Sequence, residues 1–172
     1  GCGIQTGAGT VLNRLKPEFA SSLVVYGAGA VGLSAVMAAK IAGCQHIIAV
    51  DVHNSRLALA KELGASHTLN GKDGDIVAQI KRITAGGSHY AIETTGVPAV
   101  VKQSLNALRP LGTVAIVGIT PEMNIDIHND LMAEGKSMIG VIEGDSVPRI
   151  ERQLSWPVQR QLPWPVDANI ST

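Results

Sequence analysis

A glycine-rich turn near the start of the chain has the residue types and spacing needed to bind a diphosphate. Residues 27–32, GAGAVG, fit the pattern G-x-G-x-x-G. The first glycine permits a sharp turn, Gly29 lets the backbone approach the phosphates, and Gly32 lets the next helix lie close to the sheet. The unpaired amides and the dipole of that helix attract the anion. Because the chain has 19 glycines, an ordinary tight turn is the alternative, and the surrounding elements decide between them.

An acidic residue, Asp51, follows Gly32 by nineteen residues. A carboxylate at this place can accept hydrogen bonds from both hydroxyls of an adenosine ribose, and it would repel a 2′-phosphate. The spacing therefore favours NAD over NADP. Arg56, with His53 nearby, is the opposing signal, because basic side chains there can accommodate a 2′-phosphate. A helix-capping or loop role is the structural alternative for Asp51.

Six short apolar segments, separated by helical segments, must position these residues. The predicted strands are 23–26, 46–50, 67–69, 90–94, 113–117 and 138–142. The helices between them are predicted at 30–42, from a cap at Asn54 or Ser55 to Leu63, at 75–84, and from Pro98 to the vicinity of Arg109 and Pro110. This alternation predicts an α/β fold, a doubly wound parallel six-stranded sheet with helices on both faces, as in Rossmann domains.

Two further loops lie where such a sheet binds ligands, beyond the carboxyl ends of its strands. They are 95–97 (TGV) and 118–120 (GIT). Small residues there let the backbone reach the ribose and carboxamide of a nicotinamide, although such residues are equally typical of plain turns.

Composition excludes several classes of partner. The net charge is zero and there are only five aromatic residues, so we expect no nucleic-acid partner. No apolar run approaches the ~18 residues that cross a bilayer, so we expect no membrane partner. Two cysteines are too few for a disulfide framework, which favours a reducing, cytoplasmic setting.

The two ends of the chain differ from the sheet-forming part. The chain begins at Gly1 without an initiating Met, and we expect a fragment or a processed product. Residues 1–22 are interpreted as a lead-in, 23–148 as the dinucleotide-binding domain, and 149–172 as a tail. The tail contains the near-repeat QLSWPV and QLPWPV. It is either poorly ordered or a segment that returns to a second domain.

A series of segments resembles the cofactor half of the zinc-dependent medium-chain alcohol dehydrogenases, and most closely their aryl (benzyl) alcohol branch. In chain order these are GCGIQTGAGTVLN, VVYGAGAVGLSAVMAAKIAG, IIAVDVHNSRLALAKELGA, AIETTGVP, GTVAIVGI and GVIEGDSVP. They cover about residues 1–148.

The resemblance implies roles for matching positions. Thr6 and Val31 would pack against the nicotinamide, and Asp51 and Arg56 would contact the adenosine ribose. Glu143 would either touch the cofactor or substrate end or be a solvated loop acid. The full set of predicted cofactor-binding residues is Thr6, Gly27, Gly29, Ala30, Val31, Gly32, Asp51, Val52, Arg56, Thr94, Thr95, Val97, Val117, Gly118 and Ile119.

The resemblance also implies a zinc ion, for which Cys2 would supply one ligand. A catalytic zinc takes three protein ligands and one open position. The others would come from a preceding domain that this sequence lacks, so we expect Cys2 to bind metal only with that domain. Cys44 and the five histidines are not interpreted as ligands. No catalytic residue is predicted within the chain itself.

In the intact enzyme the expected reaction is oxidation of a primary alcohol, in particular an aryl alcohol, to an aldehyde. Zinc would lower the pKa of the alcohol, and hydride would pass to NAD. A non-catalytic NAD(H)-binding module is the first alternative. An S-adenosylmethionine-dependent methyltransferase is the second, and the glycine spacing disfavours it. We expect a homodimer, because strand 138–142 would lie at an exposed sheet edge.

Overall fold

A single parallel sheet organises the part of the chain that the computed structural model describes, residues 2–145. Within these residues six strands lie in the order β3-β2-β1-β4-β5-β6. The strands are β1 (Ser22–Tyr26), β2 (His46–Asp51), β3 (His67–Asn70), β4 (Ser88–Glu93), β5 (Leu108–Ile116) and β6 (Ser137–Gly140). The order reverses between β1 and β4, which confirms the doubly wound α/β fold.

Helices cover both faces of this sheet. They are α1 (Cys2–Gly9), α2 (Ala30–Ile41), α3 (Asn54–Leu63), α4 (Ile76–Ile83) and α5 (Pro98–Ala107). Adjacent residues of β1 point to opposite faces, so that Val25 packs with α2 and α3 while Val24 packs with α4 and α5. Since β1 is completely buried on both faces, its sequence after Ser22 is a continuous apolar run, residues 23–26, rather than an alternating one.

The first residues of the chain pack onto this core. Helix α1 continues into a π-helical stretch, Thr10–Leu15, in which Thr10 and Val11 are fully buried. A Cβ on Gly7 would lie 2.0 Å from the carbonyl oxygen of Val31. The close approach of α1 to the first turn of α2 therefore requires glycine at position 7.

The predicted boundary between α5 and β5 and the predicted cap of α3 are wrong. Helix α5 ends at Ala107, and β5 begins at Leu108, so Arg109 and Pro110 belong to a strand. The register with β4 shifts here, where a proline without an N–H can be tolerated. Helix α3 begins at Asn54 without a side-chain cap; its N-cap is His53, and the Asn54 side chain instead accepts a 2.7 Å hydrogen bond from Asn70.

The structure also bears on the predicted edge strand and on the expected absence of a membrane partner. Strand β6 lies at the edge of the sheet, as predicted. No helix among residues 2–145 is long and apolar enough to cross a membrane. The predicted tail, 149–172, lies outside the described residues.

Candidate functional site

The turn between β1 and α2 contains two glycines that the fold itself requires. Gly27 has a φ of +92°, and a Cβ there would lie 2.4 Å from the hydroxyl of Thr94. A Cβ on Gly32 would lie 1.8 Å from the carbonyl oxygen of Gly27. Gly27 therefore permits the sharp turn and Gly32 the close approach of helix to strand, the two structural roles that the sequence predicts for them.

Gly29 differs from both of its neighbours in the motif. Its φ of −80° is open to any residue, and a Cβ there would meet no atom of residues 2–145 within 4 Å. Neither the backbone conformation nor packing against the described residues requires glycine at this position. As the N-cap of α2, Gly29 offers no side chain to bond the free amides of the first helical turn. Open space beside uncapped amides fits a diphosphate.

Asp51 is buried and held by the backbone on both of its carboxylate oxygens. Oδ2 accepts a 2.8 Å hydrogen bond from the amide of Ala28, and Oδ1 accepts one of 2.8 Å from the amide of His53. The guanidinium of Arg56 lies 3.7 Å from Oδ2. A carboxylate oxygen has two lone pairs, so each can accept a further hydrogen bond from a ligand hydroxyl.

A second buried acid, Glu93, shapes the adjoining loop, and the sequence interpretation missed it. Its side chain is fully buried; Oε1 accepts hydrogen bonds from the amide and hydroxyl of Thr95, and Oε2 accepts one of 3.1 Å from the amide of Gly96. The signal was present, because AIE ends β4 with an acid just as IIAVD ends β2 with Asp51.

Two hydroxyl groups, those of Thr94 and Tyr26, lie near the carboxyl end of β1. The Thr94 hydroxyl donates a 2.8 Å hydrogen bond to the carbonyl oxygen of Tyr26, which ties β4 to the glycine turn. The Tyr26 hydroxyl is itself buried, and no partner for it lies among residues 2–145. Burial, and next the charge of Glu93, raise the pKa of Tyr26 far above its usual value, so this phenol stays neutral.

A cavity of about 600 Å³ lies at the carboxyl ends of β1, β2 and β4. It brings together eight of the predicted cofactor-binding residues: Gly27, Gly29, Asp51, Val52, Arg56, Thr94, Thr95 and Val97. His53 also lines it. Its remaining lining residues were not predicted: Tyr26, Val50, Gly71, Ala99, Val100 and Gln103. The last three belong to α5, whose contribution no local pattern in the sequence indicated.

Seven predicted residues do not line this cavity: Thr6, Ala30, Val31, Gly32, Val117, Gly118 and Ile119. Gly32 is buried between helix and strand, and Thr6 is buried in α1 beside α2. A Cβ on Gly118 would lie 2.3 Å from the amide of Gly96, so this loop packs on the one after β4. Ile119 is fully exposed.

The cysteines do not form a metal centre within the described part of the chain. Cys2 is an exposed free thiol whose sulfur lies 4.0 Å from the Thr6 hydroxyl. Cys44 is also free, and burial raises its pKa. Among residues 2–145 no three His, Cys, Asp or Glu side chains come together as metal ligands. These residues alone therefore do not fit a zinc ion.

Glu143, for which the sequence left a ligand contact and a solvated loop role open, does not line the cavity. It is exposed, in a short turn, Glu143–Asp145, that packs against α1. A Cβ on Gly9 would lie 2.5 Å from the carbonyl oxygen of Gly144, so the contact between helix and turn is very close.

The chain matches the family model described as zinc-binding dehydrogenase over residues 30–157. It is 40% identical over 152 residues to a geraniol dehydrogenase of Castellaniella defragrans, an alignment that covers 87% of this chain and 41% of that protein.

Two solved structures share both fold and sequence with the chain. One is a benzyl alcohol dehydrogenase from Acinetobacter calcoaceticus, with a TM-score of 0.83 and 49% identity, covering 93% of this chain and 47% of the other. The second is an alcohol dehydrogenase zinc-binding domain protein from Burkholderia ambifaria, with a TM-score of 0.86 and 49% identity, covering 95% and 45%. The chain thus spans less than half the length of these relatives.

Proposed function

The chain belongs to the zinc-binding dehydrogenase family, and we propose that it is the NAD-binding half of an alcohol dehydrogenase acting on a primary aryl alcohol. The observation that carries this proposal is the pairing of an unobstructed Gly29 with a buried Asp51 on one cavity. The aryl substrate rests on the likeness to the Acinetobacter benzyl alcohol dehydrogenase.

In this proposal the chain binds and orients the cofactor, while bound NAD supplies the hydride acceptor. The free amides of α2 hold the diphosphate beside Gly29. Asp51 accepts hydrogen bonds from the ribose hydroxyls. Its two hydrogen bonds from backbone amides hold the carboxylate in place before the ligand binds. Thr6, Val31 and the loop 117–119 flank the nicotinamide on the other side of the turn.

A preference for NAD over NADP follows from the charge and burial of Asp51. A 2′-phosphate would have to approach a carboxylate that is only 7% exposed and cannot turn away without losing its bonds to Ala28 and His53. Arg56 is half-exposed and already faces this carboxylate at 3.7 Å. Its charge is therefore directed at Asp51 rather than at a second phosphate.

Substrate oxidation requires groups outside the described residues. Cys2 would be one zinc ligand in a longer polypeptide, and the chain alone would bind NADH without oxidising benzyl alcohol, even with added zinc. Turnover by this chain would contradict that part of the proposal. A cytoplasmic setting is also proposed, on the ground of the two free thiols.

Replacing Asp51 by Arg tests the site directly. We expect Asp51→Arg to weaken NADH binding about 10- to 100-fold, since hydrogen bonds to a charged group contribute about 1–3 kcal/mol, and to improve NADPH binding. The matched control is Asp73→Arg, which makes the same charge change at an exposed position outside the cavity lining. Unchanged NADH affinity in Asp51→Arg would remove this carboxylate from the site.

A parallel titration with S-adenosylmethionine tests the competing assignment. Both cofactor classes present an adenosine ribose to an acid after the second strand, but only the dinucleotide has a diphosphate for the Gly29 turn. We expect binding of NADH and none of S-adenosylmethionine. The reverse preference would favour a methyltransferase.

We also propose a homodimer formed through the edge strand β6. Within residues 2–145 no strand pairs with its outer side, and such edges invite pairing. Apolar side chains near this end of the sheet are more than half exposed: Leu111, Ile127, Met132 and Ile142. Light scattering tests the dimer, and a monomer at all concentrations would contradict it.

A further inference from the structure

The cavity extends past the ribose site to helix α5, where one stripe of the helix lines it. Ala99, Val100 and Gln103 are spaced so that they share one face of α5. Val52 and Val97 line the cavity as well. A ligand that placed its ribose at Asp51 would therefore meet apolar walls and a single amide on this side.

That amide differs from most of the other polar groups of the lining, although the exposed ring of His53 likewise has no hydrogen bond to residues 2–145. The side chains of Asp51, Thr94 and Thr95 already have protein hydrogen-bond partners. Gln103 is half-buried, and none of residues 2–145 hydrogen-bonds its amide. Gln79, by contrast, donates from its amide to the carbonyl oxygen of Asp73 at 2.7 Å. The Tyr26 hydroxyl is also unpartnered among these residues, but it is too deeply covered to meet a ligand.

The chemistry of the amide indicates what it would bind. A carboxamide offers an acceptor and a donor side by side, which is the complement of the N6 amino group and N7 of adenine. The flat faces of a purine suit apolar side chains such as Val52 and Val100. In the proposed function Asp51 binds the adenosine ribose, and this carboxylate lines the same cavity as Gln103.

We propose that Gln103 is a specificity-determining residue that recognises the adenine base of the cofactor. Its carbonyl oxygen accepts a hydrogen bond from the N6 amino group, and its NH2 group donates to N7. This inference rests on the proposed function, because it assumes a dinucleotide with its ribose at Asp51. It goes further in assigning base selectivity to one side chain of α5.

A cofactor analogue with hypoxanthine in place of adenine isolates this contact. Hypoxanthine replaces the N6 amino group with a carbonyl, so the N6–N7 edge presents two acceptors, and one amide cannot pair with both in the same way. In fluorescence titrations of the full chain we expect NADH to bind about tenfold more tightly than reduced nicotinamide hypoxanthine dinucleotide, the equivalent of one hydrogen bond.

Gln103→Leu should abolish this preference, bringing the two dissociation constants within about twofold of each other, since leucine fills the space without an amide. The matched control is Asn106→Leu, an exposed position of the same helix outside the cavity lining, which should keep the tenfold ratio. Because the readout is a ratio of two ligands, a general loss of stability does not imitate the result.

Two outcomes overturn the proposal, and they are distinguishable. If NADH binds but the native chain does not discriminate against hypoxanthine, or Gln103→Leu discriminates as well as the native chain, the inference about Gln103 is wrong and the proposed function stands. If the native chain binds neither dinucleotide, the proposed function fails and this inference with it.

Discussion

Strand β1 has a polar network at each end, and the two networks differ in what they leave open. At the carboxyl end, Asp51 and Thr94 bond to backbone groups of the glycine turn and still line a cavity. At the amino end, the Ser22 hydroxyl and Nδ1 of His89 form a hydrogen bond of 2.8 Å. The guanidinium of Arg109 lies 2.6 Å from Nε2, the other nitrogen of the same imidazole ring.

The difference shows that residue types alone do not identify a site. Ser22, His89 and Arg109 would look catalytic as a set, yet their polar atoms pair with one another and none of them lines the cavity. At the carboxyl end, bonds to the backbone hold each side chain in place without using its remaining lone pairs. We therefore expect ligand binding at the carboxyl end of β1, where the polar groups are held in place but can still form hydrogen bonds to a ligand.

Of the variants that test this comparison, Gly32→Ala is expected to have the largest effect, a loss of stability. The added Cβ would lie 1.8 Å from the carbonyl oxygen of Gly27 and 3.1 Å from the side chain of Val25, so the backbone of the turn or of the helix must move to relieve the overlap. We expect a loss of about 3 kcal/mol or more in the free energy of unfolding, measured by urea denaturation. A native-like midpoint would mean that α2 does not lie this close to β1.

Gly29→Ala should have the opposite profile and a smaller effect. In the described part of the chain no atom lies within 4 Å of the added Cβ, so the unfolding midpoint should stay near that of the native chain. NADH affinity should fall about tenfold, because the methyl group would occupy the space in which we propose that the diphosphate binds. If Gly29→Ala instead bound NADH with native affinity, the proposal that the diphosphate binds beside Gly29 at the carboxyl end of β1 would be wrong.

The smallest effect concerns the closed end and its response to pH. Burial, and next the charge of Arg109, lower the pKa of His89, while Glu18 acts in the other direction. An unfolded histidine titrates near about 6.5, so below that pH the unfolded chain binds more protons than the folded one. The free energy of unfolding should therefore decrease as the pH falls below about 6.5.

His67 adds to this loss in the same direction, because burial and the nearby His46 and Lys61 lower its pKa. Urea denaturation at about pH 7.5 and about pH 5.5 measures the decrease. His89→Gln should make it shallower while NADH affinity at the higher pH stays unchanged. If His89→Gln weakened NADH binding, the polar network at the amino end of β1 would affect the cofactor site at the carboxyl end, which would contradict the comparison.

Local patterns were enough to predict most of the fold. The apolar runs predicted each strand to within a few residues, except that β5 begins at Leu108 rather than at Thr113. The error came from reading Pro110 as a helix stop, although a proline is also tolerated where the pairing register of a strand shifts. The cap of α3 was wrong because Asn54 pairs with Asn70, a contact between separate elements.

The sequence by itself determined the turn at Gly27–Gly32 and the acid at Asp51. Backbone conformation, helix–strand spacing and the burial of a strand are set by neighbouring residues and leave a periodic signature. Only the tertiary structure decided which side chains share the cavity with them. Glu93 is bonded within its own loop, Gln103 comes from a helix more than fifty residues away, and the loop at Gly118 packs against Gly96 instead of lining the cavity. Those placements depend on how helices and loops pack across the sheet, which no short stretch of sequence encodes.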